Sequence, residues 1–223
     1  MTQLLLVRHG QASFGAANYD ALSPIGHEQA RVLGRALAAR GVRPARVVRG
    51  AMVRHRETAE GLLEGLGMDL PLEVDPGWDE FDFQHVIEVS PDTERLLADL
   101  GDAADQRAAF QEIFEIAVAR WTGGAHDDTF HEPFPTFWTR VVDALGRAGE
   151  GDDGPVVVVT SGGPIAIAAA HLLGADAEMW ARLNKMAINT AVTKVISGRR
   201  GLTLSSYNEQ GHLEHDRSLL TYR

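Results

Sequence analysis

Apolar residues in this chain fall into short unbroken runs separated by longer amphipathic stretches. Leu4-Leu5-Leu6-Val7 and Val156 to Val159 carry no polar interruption, the pattern of strands buried on both faces. Arg46-Val47-Val48 predicts a further strand. Ala191 to Ile196 and Leu202 to Tyr207 predict two more, paired across the Gly198–Gly201 turn. Between these runs the spacing becomes helical. Ser23 suits an N-cap and Pro24 a first helical residue; Ile25, Val32, Leu33, Ala36 and Leu37 follow at helical spacing, and Gly41 suits the stop. Met52 to Leu66 places Ala59, Leu62, Leu63 and Leu66 on one stripe. Ala103–Trp121, Pro135–Ala148 and Ile165–Leu173 also read as helices. Trp78 to Val89 has no clean period, Thr122 to Pro133 is a polar loop, and Glu150 to Gly154 is a solvated turn.

Strands alternating with helices predict an α/β fold: three α/β/α layers around a mostly parallel sheet, in one domain over 1–223, with a helical cap insertion at about 78–135. In such sheets ligands sit beyond the carboxyl ends of strands, so the residues after Val7 and Val159 are the ones to read for chemistry. With 223 residues, 44% of them hydrophobic, the chain supports a sizeable core. It has no cysteine, which removes disulfides, thiolate catalysis and cysteine-ligated metals. Lys+Arg is 21 against Asp+Glu 31, a net charge of −10, which argues against a broad nucleic-acid face. The start shows no basic region followed by an apolar core, and the longest apolar stretch, Val156 to Ala170, is interrupted by Thr160 to Pro164. The expectation is a cytoplasmic protein without membrane or nucleic-acid partners.

Four clusters carry possible chemistry. Arg8-His9-Gly10 puts a guanidinium and an imidazole where the first strand ends; a neutral His can attack, and Arg holds an oxyanion in a two-pronged contact. Arg49, Arg54 and Arg56 crowd the start of the second helix, with Arg54 and Thr58 one turn apart. In Trp78-Asp79-Glu80-Phe81-Asp82, a carboxylate among aromatics has a raised pKa and suits a general acid. Thr160-Ser161-Gly162-Gly163-Pro164 links a strand to a helix, with backbone N–H groups and a helix start turned to an anion. Taken singly, the first three have plain structural readings: a satisfied His at a strand end, a solvated basic face, an ordinary acidic loop.

Together they resemble a family. Leu6-Val7-Arg8-His9-Gly10, then Leu22-Ser23-Pro24-Ile25-Gly26-His27-Glu28-Gln29-Ala30, then Arg54-x-x-x-Thr58-Ala59 are similar, in order, to the signatures of the histidine phosphatase superfamily, also called phosphoglycerate-mutase-like. Asn189-Thr190-Ala191-Val192, Tyr207-Asn208 and His212-Leu213 are similar to its late strands. The resemblance implies that His9 takes a phosphoryl group, that Arg8 and Arg54 grip its oxygens, and that Glu80 gives a proton to the leaving oxygen. Ser161 and Gly162 are the remaining phosphate-binding candidates, and Asn18 a substrate-binding one. No cofactor or metal is implied; the partner is a small phosphorylated substrate. Hydrolysis is expected rather than a mutase reaction.

One position departs from the family. Where the family places a second histidine, this chain has Ser161; a neutral hydroxyl replaces an imidazole, and reduced turnover is expected. His126, His131 and His212 are candidates to substitute for it. The paired serines before the second arginine are also replaced, by Arg49-Gly50. Three other functions follow from the same residues: a phospholigand-binding protein without turnover, a serine hydrolase using Ser161, Asp176 and His212, and a metal hydrolase using His126, Asp127 and His131 or His212, His215 and Asp216. Trp78, Phe81, Phe83, Phe130 and Phe134 either meet an organic group beyond the phosphate or pack the insertion.

Overall fold

The structure, a computed structural model, describes residues 2–13, 20–91, 106–151 and 154–222. These form two compact units, Met1–Glu80 with Arg140–Arg223, and Phe81–Thr139. The larger unit is built on a six-stranded sheet of order β3-β2-β4-β1-β5-β6. Its strands are β1 (Thr2–Arg8), β2 (Arg46–Arg49), β3 (Leu72–Val74), β4 (Val156–Thr160), β5 (Val192–Gly198) and β6 (Gly201–Glu209). The first four run parallel; β5 is antiparallel to β1, and β6 to β5. In chain order the described α-helices are α1 (Pro24–Ala39), α2 (Val53–Leu66), α3 (Phe83–Glu88), α4 (Gln106–Thr122), α5 (Phe134–Ala148), α6 (Gly162–Leu172) and α7 (Ala177–Lys185); α3 and α4 belong to the smaller unit.

The unbroken apolar runs are explained by burial on both faces. Leu5, Val7, Val47, Val157 and Val159 pack with Leu33 and Leu37 of α1 and with Ala59, Leu62, Leu63 and Leu66 of α2. Leu4, Leu6, Val48, Val156 and Val158, which alternate with them, are buried as well. Helix α6 lies against β1 and β6. This is the α/β arrangement with a mostly parallel sheet that the alternation predicts.

Helix limits follow local chemistry. Ser23 caps α1 by accepting from the Gly26 N–H (3.1 Å), and Gly41, at φ 72°, ends that stretch in the left-handed region. Three elements were not predicted. Strand β3 is a three-residue edge, too short to show a period. Helix α3 lies in the irregular segment after Trp78. Helix α7 opens on Asp176, which accepts from the Met179 N–H (3.1 Å), and buries only Trp180 and Leu183.

The smaller unit is held by aromatics. Phe81 stacks on Trp121 with ring centroids 4.6 Å apart, and Phe137 lies 5.5 Å from each. Trp121 Nε1–H donates to the Glu132 carbonyl (2.8 Å). Phe81, Phe130 and Phe134 are therefore core residues, as is Trp78 in the larger unit. No helix among the described residues is long and apolar enough to cross a membrane.

Candidate active site

Strand register brings three chain segments to one place. Val7 and Arg8 of β1 pair with Val159 and Thr160 of β4, and Arg49 of β2 pairs with Val159 from the other side. Past this line the chain continues as His9-Gly10, Ser161-Gly162 and Gly50-Ala51. From the adjacent β1 and β4 the connections run to opposite sides of the sheet, β1 toward β2 and β4 toward β5. In such sheets that divergence, at the carboxyl ends of the two strands, is where ligands sit.

His9 is fixed at both its backbone and its ring. Its N–H donates to the Thr160 carbonyl (2.8 Å), and its carbonyl accepts from Asn189 Nδ2 (3.0 Å). Ring Nδ1 lies 2.7 Å from the Gly10 carbonyl oxygen. A carbonyl only accepts, so Nδ1 carries the proton and Nε2 keeps its lone pair. Burial first, then the charges of Arg54 and Arg8 and the nearby His55, hold the His9 pKa well below the ordinary imidazole value. The ring is a neutral base at neutral pH.

The motifs around His9 have structural reasons. Thr58 Oγ1 accepts from the Gly10 N–H (3.0 Å) and donates to the Arg54 carbonyl (2.7 Å), which ties the end of β1 to the first turn of α2. Gly26 passes so close to this loop that a Cβ would sit 2.2 Å from the Gln11 carbonyl oxygen. Gln29 accepts from the Gln11 N–H (2.8 Å) and donates to the Leu219 carbonyl (2.8 Å). The Ser-x-x-Gly-x-x-Gln segment is thus a clamp on the loop that carries His9.

Arg54 is buried, and its Nη1 pairs with Asp20 Oδ1 (2.8 Å). The other oxygen of Asp20 accepts from the Val53 N–H (2.7 Å), so one carboxylate both caps α2 and aims the guanidinium. Arg54 Nε is buried and has no hydrogen-bond partner among the described residues, a donor suited to an anion. Arg8 Nη1 donates to the carbonyls of Ala187 and Tyr222, and its Nε lies 3.7 Å from where a Cβ on Gly162 would stand. Arg49 turns back to donate to the Gly50 carbonyl (2.9 Å).

The three acids after Trp78 separate. Glu80 Oε2 accepts from the Gly163 N–H (3.1 Å) at the start of α6, beside Ser161 and Gly162. Asp79 accepts from the Ala51 N–H, and burial raises its pKa. Asp82 caps α3 through the His85 N–H (3.0 Å). Asn18 lies outside the described residues.

Ser161 has a partner that sequence reasoning missed. Its Oγ lies 2.8 Å from Nε2 of His55, which is fully buried and whose ring centroid is 5.8 Å from that of His9. The far nitrogen of His55, Nδ1, is buried without a hydrogen-bond partner, 3.9 Å from Asp79 Oδ1. A Cβ on Gly50 would fall 2.3 Å from that Nδ1, so glycine is the residue that leaves room for the ring. Burial, Arg54 and Arg49 keep the His55 pKa well below the imidazole value. No motif points to His55, which fills an open position of Arg54-x-x-x-Thr58-Ala59, 106 residues from Ser161.

Three other histidines were expected as substitutes for the family's second one. His126 and His131 belong to the smaller unit, where His131 stacks on His85 with centroids 3.7 Å apart. His212 meets Thr190 Oγ1 (3.3 Å), and Asp176 caps α7, so the Ser161–Asp176–His212 hydrolase triad is not assembled. Ser161 also has extended backbone (φ −111°, ψ 176°), unlike a strained nucleophile elbow. No group of three or more His, Asp or Glu among the described residues is placed to hold a metal, so neither proposed metal set forms one.

The pattern of the histidine phosphatase superfamily, branch 1, matches residues 4–210. The chain belongs to that superfamily. Solved structures agree at the level of the fold. YhfR from Bacillus stearothermophilus is 20% identical, with a TM-score of 0.68 over 96% of this chain and 100% of its own. A mycobacterial glucosyl-3-phosphoglycerate phosphatase is 23% identical, with a TM-score of 0.60 over 94% and 99%. A variant of phosphoserine phosphatase from Entamoeba histolytica, in complex with phosphoserine, is 18% identical, with a TM-score of 0.60 over 96% and 100%. No curated protein matches the chain at the sequence level.

Proposed function

We propose that the protein is a phosphomonoester hydrolase that works through a phosphohistidine on a small phosphorylated metabolite. The observation that carries this reading is the state of His9: buried, with its proton held on Nδ1 by the Gly10 carbonyl and its basicity lowered by burial and two guanidinium groups. The free Nε2 lone pair attacks phosphorus, and the bond from phosphorus to the ester oxygen breaks. Glu80, protonated, gives its proton to the leaving oxygen. Its carboxylate then takes a proton from water as that water attacks the phosphohistidine; the N–P bond breaks and its electron pair returns to His9. Arg8 and Arg54 neutralise the charge on the phosphoryl oxygens, which is most of what such a transfer requires. Ser161 contributes a neutral donor where the family has an imidazole, so turnover is slower than at a two-histidine site.

Hydrolysis of p-nitrophenyl phosphate and a set of small phosphomonoesters tests the reading. His9→Asn is expected to remove measurable turnover and to leave folding intact. Activity retained in that variant would overturn the mechanism. Phosphate affinity without turnover in the wild-type protein would instead identify a phospholigand-binding protein.

A further inference from the structure

We propose that His55 is a positioning residue for phosphoryl transfer, acting through Ser161 in place of the absent second histidine. The inference rests on the phosphatase reading above. Its basis is a relay of two side chains, one from α2 and one from the end of β4, that meet beside His9.

The protons in this relay follow from what each partner can do. A phosphoryl oxygen only accepts hydrogen bonds, so a hydroxyl that contacts it must donate. Ser161 has a single proton. Once that proton points at the phosphoryl group, Oγ has only lone pairs left for His55 Nε2 at 2.8 Å. Nε2 must therefore carry the ring proton. That tautomer leaves Nδ1 as a bare acceptor. No partner claims a proton on Nδ1: it is buried without a hydrogen-bond partner among the described residues, and Asp79 Oδ1, 3.9 Å away, is beyond hydrogen-bond reach. The chain of donation runs Nε2–H to Oγ, then Oγ–H to the phosphoryl oxygen, and each donation polarises the next.

The relay also holds the hydroxyl still. A lone serine rotor samples three positions; one hydrogen-bonded to a fully buried ring is held in place before substrate arrives. The ring itself is held by its close fit against Gly50, the position where the family's paired serines are altered. Two departures from the family pattern, Gly50 and Ser161, thus pack with His55 into a single unit.

The test uses His55→Leu, which keeps bulk and removes the donor, His55→Gln, which keeps an N–H at similar reach, and Ser161→Ala. Each is assayed for p-nitrophenyl phosphate turnover and for orthovanadate affinity, with thermal melting to follow the fold. His55→Leu and Ser161→Ala are each expected to lower kcat about 100- to 1,000-fold with a smaller change in KM. The double variant should be no slower than the slower single, and His55→Gln should recover most of the rate. A His55→Leu protein that melts normally and turns over like wild type would overturn the proposal, as would fully additive losses. If His55→Leu does not fold, His55→Gln and Ser161→Ala decide. Wild-type protein lacking His9-dependent turnover would contradict the phosphatase reading alone. Vanadate affinity in the same variants then still decides the role of His55: weakened in His55→Leu and kept in His55→Gln supports it, and unchanged in both overturns it.

Discussion

At the scale of single residues, the site works by fixing protonation states in advance. Nδ1 of His9 is held by the Gly10 carbonyl, and the depressed basicity of the ring keeps Nε2 unprotonated through neutral pH. The sign is direct: the group must be neutral to attack, and its pKa lies below 6.5, so acid inactivates only well below that value. The acid limb of kcat/KM, which reports the free enzyme, should therefore lie clearly below pH 6.5. A limb at 6.5 or above would contradict this account of the nucleophile. His9, Arg8, Arg54 and Glu80 could be picked out as candidates because the motifs specify residue types at set distances along the chain. His55 could not, since its role depends on Ser161, 106 positions away. Asp20, which aims Arg54, was hidden for the same reason: nothing in the sequence links it to a helix start 33 positions on.

At the scale of elements, close approach of backbones is what the glycines in the motifs serve. Where α1 begins, Gly26 lies against the loop after β1, and a Cβ there would press on the Gln11 carbonyl at 2.2 Å. Backbone cannot swing aside as a flexible side chain can. Gly26→Ala should cost roughly 1–3 kcal/mol, as overpacking typically does, and each kcal/mol lowers Tm by about 2–4 °C in a chain of this size. An unchanged melting curve would show that the loop yields. The long elements were readable from period alone, α1 from its cap and stripe and the β5–β6 hairpin from its turn. Strand β3 and helix α7 were not: the first has three residues, and the second buries two side chains in nine. Strand order was also beyond reach, because β1 neighbours β4 only through pairing between segments about 150 residues apart.

At the scale of the whole molecule, three buried histidines link stability to pH. His9 and His55 are held well below the usual imidazole value, chiefly by burial, and His212 is lowered to about 4. Each is neutral in the fold and titrates near 6.5 once unfolded, so the unfolded chain binds more protons as pH falls. Stability must then decline on acidification below 6.5, with a slope of at most about 1.4 kcal/mol per pH unit for each proton. Asp79, raised by burial, works in the opposite sense at lower pH. Urea unfolding between pH 7.5 and 5.5 is expected to show this decline, and a flat profile would contradict the neutral burial of these rings. The division into two units was not marked by any linker composition; it emerges from which segments pack together.

The most direct measurement is to trap the intermediate. Wild-type protein mixed with p-nitrophenyl phosphate and quenched in base, which preserves phosphohistidine, should carry one phosphoryl group, placed by peptide mass spectrometry on His9 and absent from His9→Asn. A protein that hydrolyses the ester while the group appears on Ser161, or on no residue at all, would contradict the account.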